Sequence, residues 1–248
     1  MSVVSKAHSV RNGLDELLEG LVEGDPVPAE RELAARFGVA RDTIRQALHE
    51  LLLAGRIQRR GRGTVVAKPK LVQPLSLRSY TEGAHRMGRK PGRTLVTWND
   101  VEASAEIAGG LGLRAGEPVM HLERVLLADN EPIGLESTYL PAFRFSALYE
   151  TFDPATSLYA ALRAAGVEFG FAEERIETIM PTPREAALLS TTTAMPMLHL
   201  RRRSVDRQGR PTEIVRALYR GDRVAFQASL VDEPEPLEDN GVQRRQKS

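Results

Sequence analysis

Arginine spacing is the first chemical signal in this chain. Between Glu30 and Thr64 lie Arg31, Arg36, Arg41, Arg45, Arg56, Arg59, Arg60 and Arg62, opposed by Glu30, Glu32, Asp42 and Glu50. That is an excess of about four positive charges in a chain whose net charge is only +1. A polyanion would thus be met by local placement and not by overall charge. Arg41 and Arg45 are four residues apart and share one face of a helix, where guanidinium can donate two bonds to guanine O6 and N7 in a major groove. Thr43 and Gln46 on the same segment can bond bases or phosphates. Arg59, Arg60 and Arg62, with the N–H of Gly63 beside Thr64, form a second basic cluster suited to phosphates.

Other chemistry is poorly provided for. The chain has no cysteine, which removes disulfides, thiolate metal sites and cysteine nucleophiles together. His8, His49, His85, His121 and His199 fall singly, which suggests packing or exposure before metal ligation. The glycines Gly110, Gly112 and Gly116 have the wrong spacing for a dinucleotide loop, and no GxSxG elbow, HExxH or P-loop occurs. No apolar run approaches the roughly 18 residues of a membrane helix, and Met1 to Val10 lacks the basic-then-apolar order of a signal peptide. The expectation is a cytoplasmic protein with no cofactor, no metal and no membrane partner.

The elements that would carry the arginines are readable from periodicity. Val10, Leu14, Leu17, Leu18 and Leu21 predict a helix from about Val10 to Val22, with Gly24, Asp25 and Pro26 marking its end. A second helix is expected over Glu30 to Phe37, stopped by Gly38. A third begins near Arg41, with Ile44, Ala47, Leu48, Leu51 and Leu52 as its apolar stripe, and is closed by Gly55. Ile57 to Val66 reads as two strands about a turn at Arg60-Gly61-Arg62-Gly63. Three helices and a basic hairpin make the pattern of a winged helix-turn-helix, whose third helix enters DNA.

The run from Val27 through Ala29-Glu30-Arg31-Glu32-Leu33 and Ala40-Arg41-Asp42-Thr43-Ile44-Arg45 to Gly63-Thr64 resembles the DNA-binding domain of the GntR family of bacterial transcription regulators. The resemblance covers nearly all of residues 10 to 67. It implies that Arg31, Arg41 and Arg45 carry much of the DNA contact. Ala40 stands where the family usually has a serine, and loss of such a cap costs about 1 kcal/mol. The wing is also a residue shorter than usual.

Beyond Val66 the pattern changes. Lys68-Pro69-Lys70 and Pro74 mark a linker, 68–77, stiffened by proline. The remainder carries a weak internal repeat at an offset of about 78 residues. Ser104-Ala105-Glu106 then Pro118 to Arg124 parallels Thr182-Pro183-Arg184-Glu185 then Pro196 to Arg202. Each copy predicts a capped helix, a strand, a polar turn (Asp129 to Pro132, Asp206 to Pro211) and a returning strand. Further strands are expected near Thr94 to Val101, Ala172 to Thr178 and Phe226 to Val231, and a helix near Ser157 to Ala165. These make an α+β domain on a mostly antiparallel sheet.

Ser79-Tyr80-Thr81-Glu82, Leu122-Glu123-Arg124, Glu136-Ser137-Thr138-Tyr139, Thr156-Ser157-Leu158-Tyr159 and Tyr219-Arg220-Gly221-Asp222-Arg223 resemble the ligand-sensing domain of the HutC branch of that family, which shares its fold with chorismate lyase. Within the branch, Ser79 to Glu82 and Thr156 to Tyr159 are most similar to regulators answering to phosphorylated amino sugars such as glucosamine 6-phosphate or N-acetylglucosamine 6-phosphate. The resemblance implies that Ser79, Tyr80 and Thr81 at a helix start donate to a phosphate, that Arg124 pairs with it, and that Glu136, Ser157, Tyr159 and Glu213 bond the sugar. Members that bind sugar phosphates often carry a second arginine two places later, where this chain has Leu126. The implied ligand is less anionic, or another arginine such as Arg202 substitutes.

The expectation is a homodimeric, ligand-responsive repressor: a winged helix-turn-helix in 1–67 on a double-stranded DNA operator, the linker, an effector-binding and dimerisation domain in 78–232, and a charged, disordered tail in 233–248. Two other readings stay open: a chorismate-lyase-like enzyme with accessory DNA binding, and a DNA-binding regulator with a different effector or none.

Overall fold

In the computed structural model, residues 3–61, 63–76 and 80–229 are described. Arg62, Ser79 and the tail 233–248 lie outside them, as do Leu77 and Val231.

Helix α1 (Val3–Glu19) buries Val10, Leu14 and Leu18 against α2 (Glu30–Phe37) and α3 (Arg41–Leu53). It stops at Glu19, not at the predicted Val22, because Gly20 opens a turn that Leu21 N–H closes onto Leu18 O. The second helix has the predicted bounds, and Gly38 ends it in the left-handed region at φ 61°. Ala40, as the sequence suggests, provides no side-chain cap for α3. The stripe of α3 is buried through Ile44, Ala47, Leu48 and Leu51. The hairpin of β1 (Ile57–Arg60) and β2 (Gly63–Val66) follows, with Arg59 opposite Thr64 and Arg60 opposite Gly63.

The second domain is built on a six-stranded antiparallel sheet in the order β4-β5-β6-β9-β8-β7. Its strands are β4 (Pro91–Glu102), β5 (Pro118–Ala128), β6 (Glu131–Pro141), β7 (Phe169–Ile179), β8 (Met197–Asp206) and β9 (Pro211–Arg220). Outward from the β6/β9 pair the order reads the same in both directions, so the 78-residue repeat is a duplicated strand-helix-hairpin unit. Each unit has its predicted helix: α5 (Ala105–Leu111), capped by Ser104, and α9 (Pro183–Leu188), where Thr182 and Glu185 form a capping box. Asp129 and Asn130, both at positive φ, make the two-residue turn between β5 and β6. Alternation along β5 sends Met120, Leu122, Arg124 and Leu126 to one face and Val119, Glu123 and Val125 to the other. The first face is covered by α4 (Tyr80–Arg86) and by α6 (Ala142–Phe145), α7 (Leu148–Thr151) and α8 (Leu158–Ala164); α5 and α9 lie on the second.

Two expectations are corrected. Residues 68–77 are not a free tether: Leu71–Pro74 form strand β3, paired in parallel with β10 (Val224–Gln227). The strand expected near Phe226 to Val231 therefore starts earlier and does not join the antiparallel sheet. Strand β9 already has β6 and β8 on its two sides, which leaves β10 no place beside it, and its partner comes from the other end of the domain.

Candidate functional site

The exposed basic surface expected to meet DNA follows from the α2–α3 geometry. Burial of Ile44, Ala47 and Leu48 forces the opposite side of α3 outward, so Arg41, Arg45 and Gln46 are exposed and Thr43 half-exposed. Glu30, in the first turn of α2, lies 3.3 Å from the Arg45 guanidinium and 3.8 Å from that of Arg41, and Arg45 also donates to Asp42 at 2.7 Å. These exposed pairs are worth little in water and are readily exchanged for phosphate or base contacts. Arg31 is exposed on α2. On the wing Arg59 donates to Thr64 Oγ1 at 2.9 Å, and Arg60 and Gly63 are exposed at its tip. An open cleft runs between α3 and the wing, lined by Arg45, Gln46, His49, Arg59 and Thr64, and the sensing domain reaches it through Thr192.

The second site is a cavity under the first face of the sheet. Of the residues implied for the effector, Tyr80, Arg124, Glu136, Ser157, Tyr159 and Glu213 all line it, although they are spread over 134 positions of sequence. Thr81 does not line it; its Oγ1 accepts a 2.7 Å bond from Arg93, which does. The hydroxyl of Tyr80 is already engaged elsewhere: it donates to Leu127 O at 2.6 Å, and burial pushes its pKa up to about 12, so it keeps its proton. Ser157 Oγ accepts from Ala160 N–H as the α8 cap.

Arg124 is held firmly. Nη1 donates to Pro154 O and Thr156 O at 3.1 and 3.0 Å and Nη2 to Glu136 at 2.6 Å, while its buried Nε has no protein partner among the described residues. Glu213 is fully buried. It accepts from Tyr159 Oη and from Ser204 Oγ through one carboxyl oxygen; the other has no partner among the described residues. Burial raises the Glu213 pKa against the pull of Arg202, Tyr159 and Ser204. Burial, then the Glu213 charge, raises the Tyr159 pKa well above its ordinary value, so the hydroxyl stays protonated and donates. Arg202 donates to Tyr159 Oη at 2.7 Å and pairs with Glu174. Burial works to lower its pKa, but Tyr159, Glu213 and Glu174 overcome that and leave it raised.

Sequence reasoning missed part of the wall. Gln73, Pro74 and Ser76 come from the supposed linker, and Arg93 sits on β4 opposite Leu126 of β5. The predicted strand began at Thr94, one residue after Arg93. Arg202 was readable from the repeat, since it stands 78 residues beyond Arg124. Among the described residues no group of three or more His, Asp or Glu could hold a metal ion, and no helix is long and apolar enough to cross a membrane.

The family model for bacterial regulatory proteins of the gntR family matches residues 7–66, and that for the UTRA domain matches residues 86–225. The chain is 51% identical over 227 residues to the HTH-type transcriptional repressor PhnF of Mycolicibacterium smegmatis, covering 92% of this chain and 93% of the relative. It is 33% identical over 203 residues to the HTH-type transcriptional repressor NagR of Bacillus subtilis, covering 81% and 84%. The crystal structure of PhnF from Mycobacterium smegmatis superposes with a TM-score of 0.68 at 50% identity, over 90% of this chain and all of that one. A DNA-reading helix and wing joined to a ligand-binding UTRA domain, in a chain alike at both ends to such regulators, place this protein in the GntR family of bacterial transcription regulators, in its HutC branch, and not among enzymes.

Proposed function

We propose that this protein is a transcriptional repressor that binds a two-fold symmetric operator as a homodimer and whose hold on DNA is set by a small anionic metabolite in the sheet cavity. The observation that carries this reading is the path of β3. Gln73 and Pro74 wall the cavity, and seven residues before Gln73 the chain is Val66, the last residue of the wing strand β2. Along this path Lys68 bonds Asp129 at 3.0 Å and Lys70 donates to Gly221 O at 2.7 Å. A ligand that displaces Gln73 therefore acts on the wing through a short, anchored strand. To shift the arrangement of the two domains it must bind one arrangement better than the other.

Relatives named as repressors support the negative sign. In this reading Arg41, Thr43, Arg45 and Gln46 meet base edges and nearby phosphates, Arg31, Arg59, Arg60, Arg62, Gly63 and Thr64 meet backbone, and half-sites lie about one helical turn apart. Arg124 meets the anionic part of the effector. The test is fluorescence anisotropy of the full chain on its own upstream DNA across salt concentrations. Ligand arms are glucosamine 6-phosphate, N-acetylglucosamine 6-phosphate, N-acetylglucosamine and inorganic phosphate. The expected result is specific binding with a slope of about 0.9 in log K per phosphate contact, weakened by phosphorylated or anionic ligands alone. Binding that ignores every anion overturns the effector assignment; binding without sequence preference overturns the repressor.

A further inference from the structure

The missing arginine at position 126 has a replacement on the neighbouring strand. Leu126 is fully buried in the apolar cluster with Tyr80 and Tyr219, and its partner across the β4–β5 ladder is Arg93. Residues directly opposite on antiparallel strands share a face, so a cation at 93 reaches the same space as one at 126. Arg93 lines the cavity, is positioned by its bond to Thr81 Oγ1 and lies 5.6 Å from the Tyr80 ring centroid.

The three cavity arginines differ in what they are already paired with. Arg124 is bonded to Glu136 and Arg202 to Glu174, whereas Arg93 makes no ion pair among the described residues and its buried Nε has no partner there. Burial, and then the charge of Arg124, lowers the Arg93 pKa, with Glu136 pulling the other way. The buried Nε of Arg124 is likewise unpartnered. The whole cavity that these groups help to line is small, about 60 Å³, against roughly 300–1,000 Å³ for pockets that take drug-sized ligands. At about 10–15 Å³ per water it has room for a handful of waters, which is what one four-oxygen anion would displace.

We propose that Arg93 and Arg124 together form the anion subsite of this cavity, with Arg93 standing in for the arginine absent at 126, and that the subsite takes a compact oxyanion of phosphate or sulfate size in preference to a sugar phosphate. This rests on the cavity being the effector site. An oxyanion there accepts from Arg93 and from Arg124 Nε, and Thr81 acts as a positioning residue that aims Arg93.

The test is isothermal titration calorimetry of the full chain with sodium phosphate, sodium sulfate, sodium acetate and glucosamine 6-phosphate. It is run on the wild type, Arg93→Gln, Arg93→Lys and the transposed double variant Arg93→Leu with Leu126→Arg. A charged hydrogen bond lost at Arg93 predicts about 10- to 100-fold weaker phosphate or sulfate binding in Arg93→Gln. Arg93→Lys should fall between Arg93→Gln and wild type, and the transposed variant should bind more tightly than Arg93→Gln. Phosphate and sulfate binding with acetate silent identifies a tetrahedral anion; acetate binding equally identifies a carboxylate, and either supports a compact oxyanion. Equal binding in Arg93→Gln and wild type overturns the role of Arg93 while leaving the effector reading intact. Glucosamine 6-phosphate binding ten-fold more tightly than phosphate overturns the size selection. If no anion binds the wild type while DNA binding persists, the effector reading itself falls and the subsite with it.

Discussion

Replacing Gly55 by alanine tests whether the DNA-binding domain is docked on the sensing domain or merely tethered to it. Gly55 follows α3 at φ +72°, and an added Cβ would lie 2.9 Å from the carbonyl carbon of Asp222, closer still to its oxygen, and 3.1 Å from its Cα. Both partners are backbone, so neither can rotate aside. Nearby, Arg223 donates to Gln58 at 2.6 Å, and Leu52 and Leu53 pack on the cluster that holds Leu189 and Met195. The substitution first carries the cost of a left-handed non-glycine residue, about 1–2 kcal/mol. Forcing the segments apart then breaks the charged bond to Gln58, about 1.5–3 kcal/mol, together with part of the apolar contact. Gly38→Ala is the matched control: φ is +61° and an added Cβ meets nothing within 4 Å. Calorimetry should show Gly38→Ala lowering stability by the first cost alone. Gly55→Ala should also separate the unfolding of the two domains and enlarge the radius of gyration by small-angle scattering. Identical unfolding profiles and scattering for the two variants would refute the docking argument.

Three further outcomes follow from single residues. Arg45→Ala should weaken operator binding by about 1–3 kcal/mol; relaxed preference at one base would make it a reader, and a salt slope shallower by about one would make it a phosphate contact, both measurable in the anisotropy assay. Thr182→Ala removes the α9 capping box and should cost about 1 kcal/mol in urea unfolding, with Ser104→Ala similar at α5. Asp129 accepts from Lys90 N–H at 2.8 Å and Lys68 Nζ at 3.0 Å and lies 2.6 Å from Arg89 Nε; these, the backbone bond first, hold its pKa at about 2 against an ordinary 3.8. A depressed carboxyl pKa stabilises the fold above the unfolded value, so stability is lost as pH falls from 3.8 through about 2. Asp129→Asn should flatten the denaturation midpoint over that window, and an unchanged slope would show that Asp129 is not the group involved.

The DNA-binding half was legible because its signals are contiguous. The apolar stripe of α3, the stop at Gly38 and the Arg59 to Thr64 hairpin each fall within a dozen residues, and burial of the stripe leaves Arg41 and Arg45 facing outward with no long-range information needed. The sensing domain was legible wherever the duplication put the same local grammar twice: Ser104 and Thr182 as caps, and two polar turns between paired strands. What did not show was pairing between distant segments. Leu71–Pro74 carries two charged neighbours and a proline, a linker composition, and only its ladder with Val224–Gln227, more than 150 residues on, makes it a strand and a cavity wall. The hydroxyl of Tyr80 was likewise assigned to a phosphate because Leu127 O, its acceptor, belongs to a strand 47 residues away.

The duplication also explains why the cavity lies where it does. Strands β5 and β8 are the middle strands of their respective halves, and Arg124 and Arg202 stand at equivalent points on them, facing the same side of the sheet. The two halves meet at β6 and β9, which bring Glu136 and Glu213 between the two arginines. Each of these two arginines already has a carboxylate partner, Glu136 for Arg124 and Glu174 of β7 for Arg202. What breaks the balance is specific to one half: β4 contributes Arg93, for which the structure shows no carboxylate partner among the described residues. Glu213 is pushed by burial toward its neutral form, Tyr159 and Ser204 meanwhile satisfying one of its oxygens. The cavity arginine without a carboxylate partner among the described residues therefore sits at the β4–β5 side, beside Leu126. There an arginine placed one strand over does what the strand's own position no longer can.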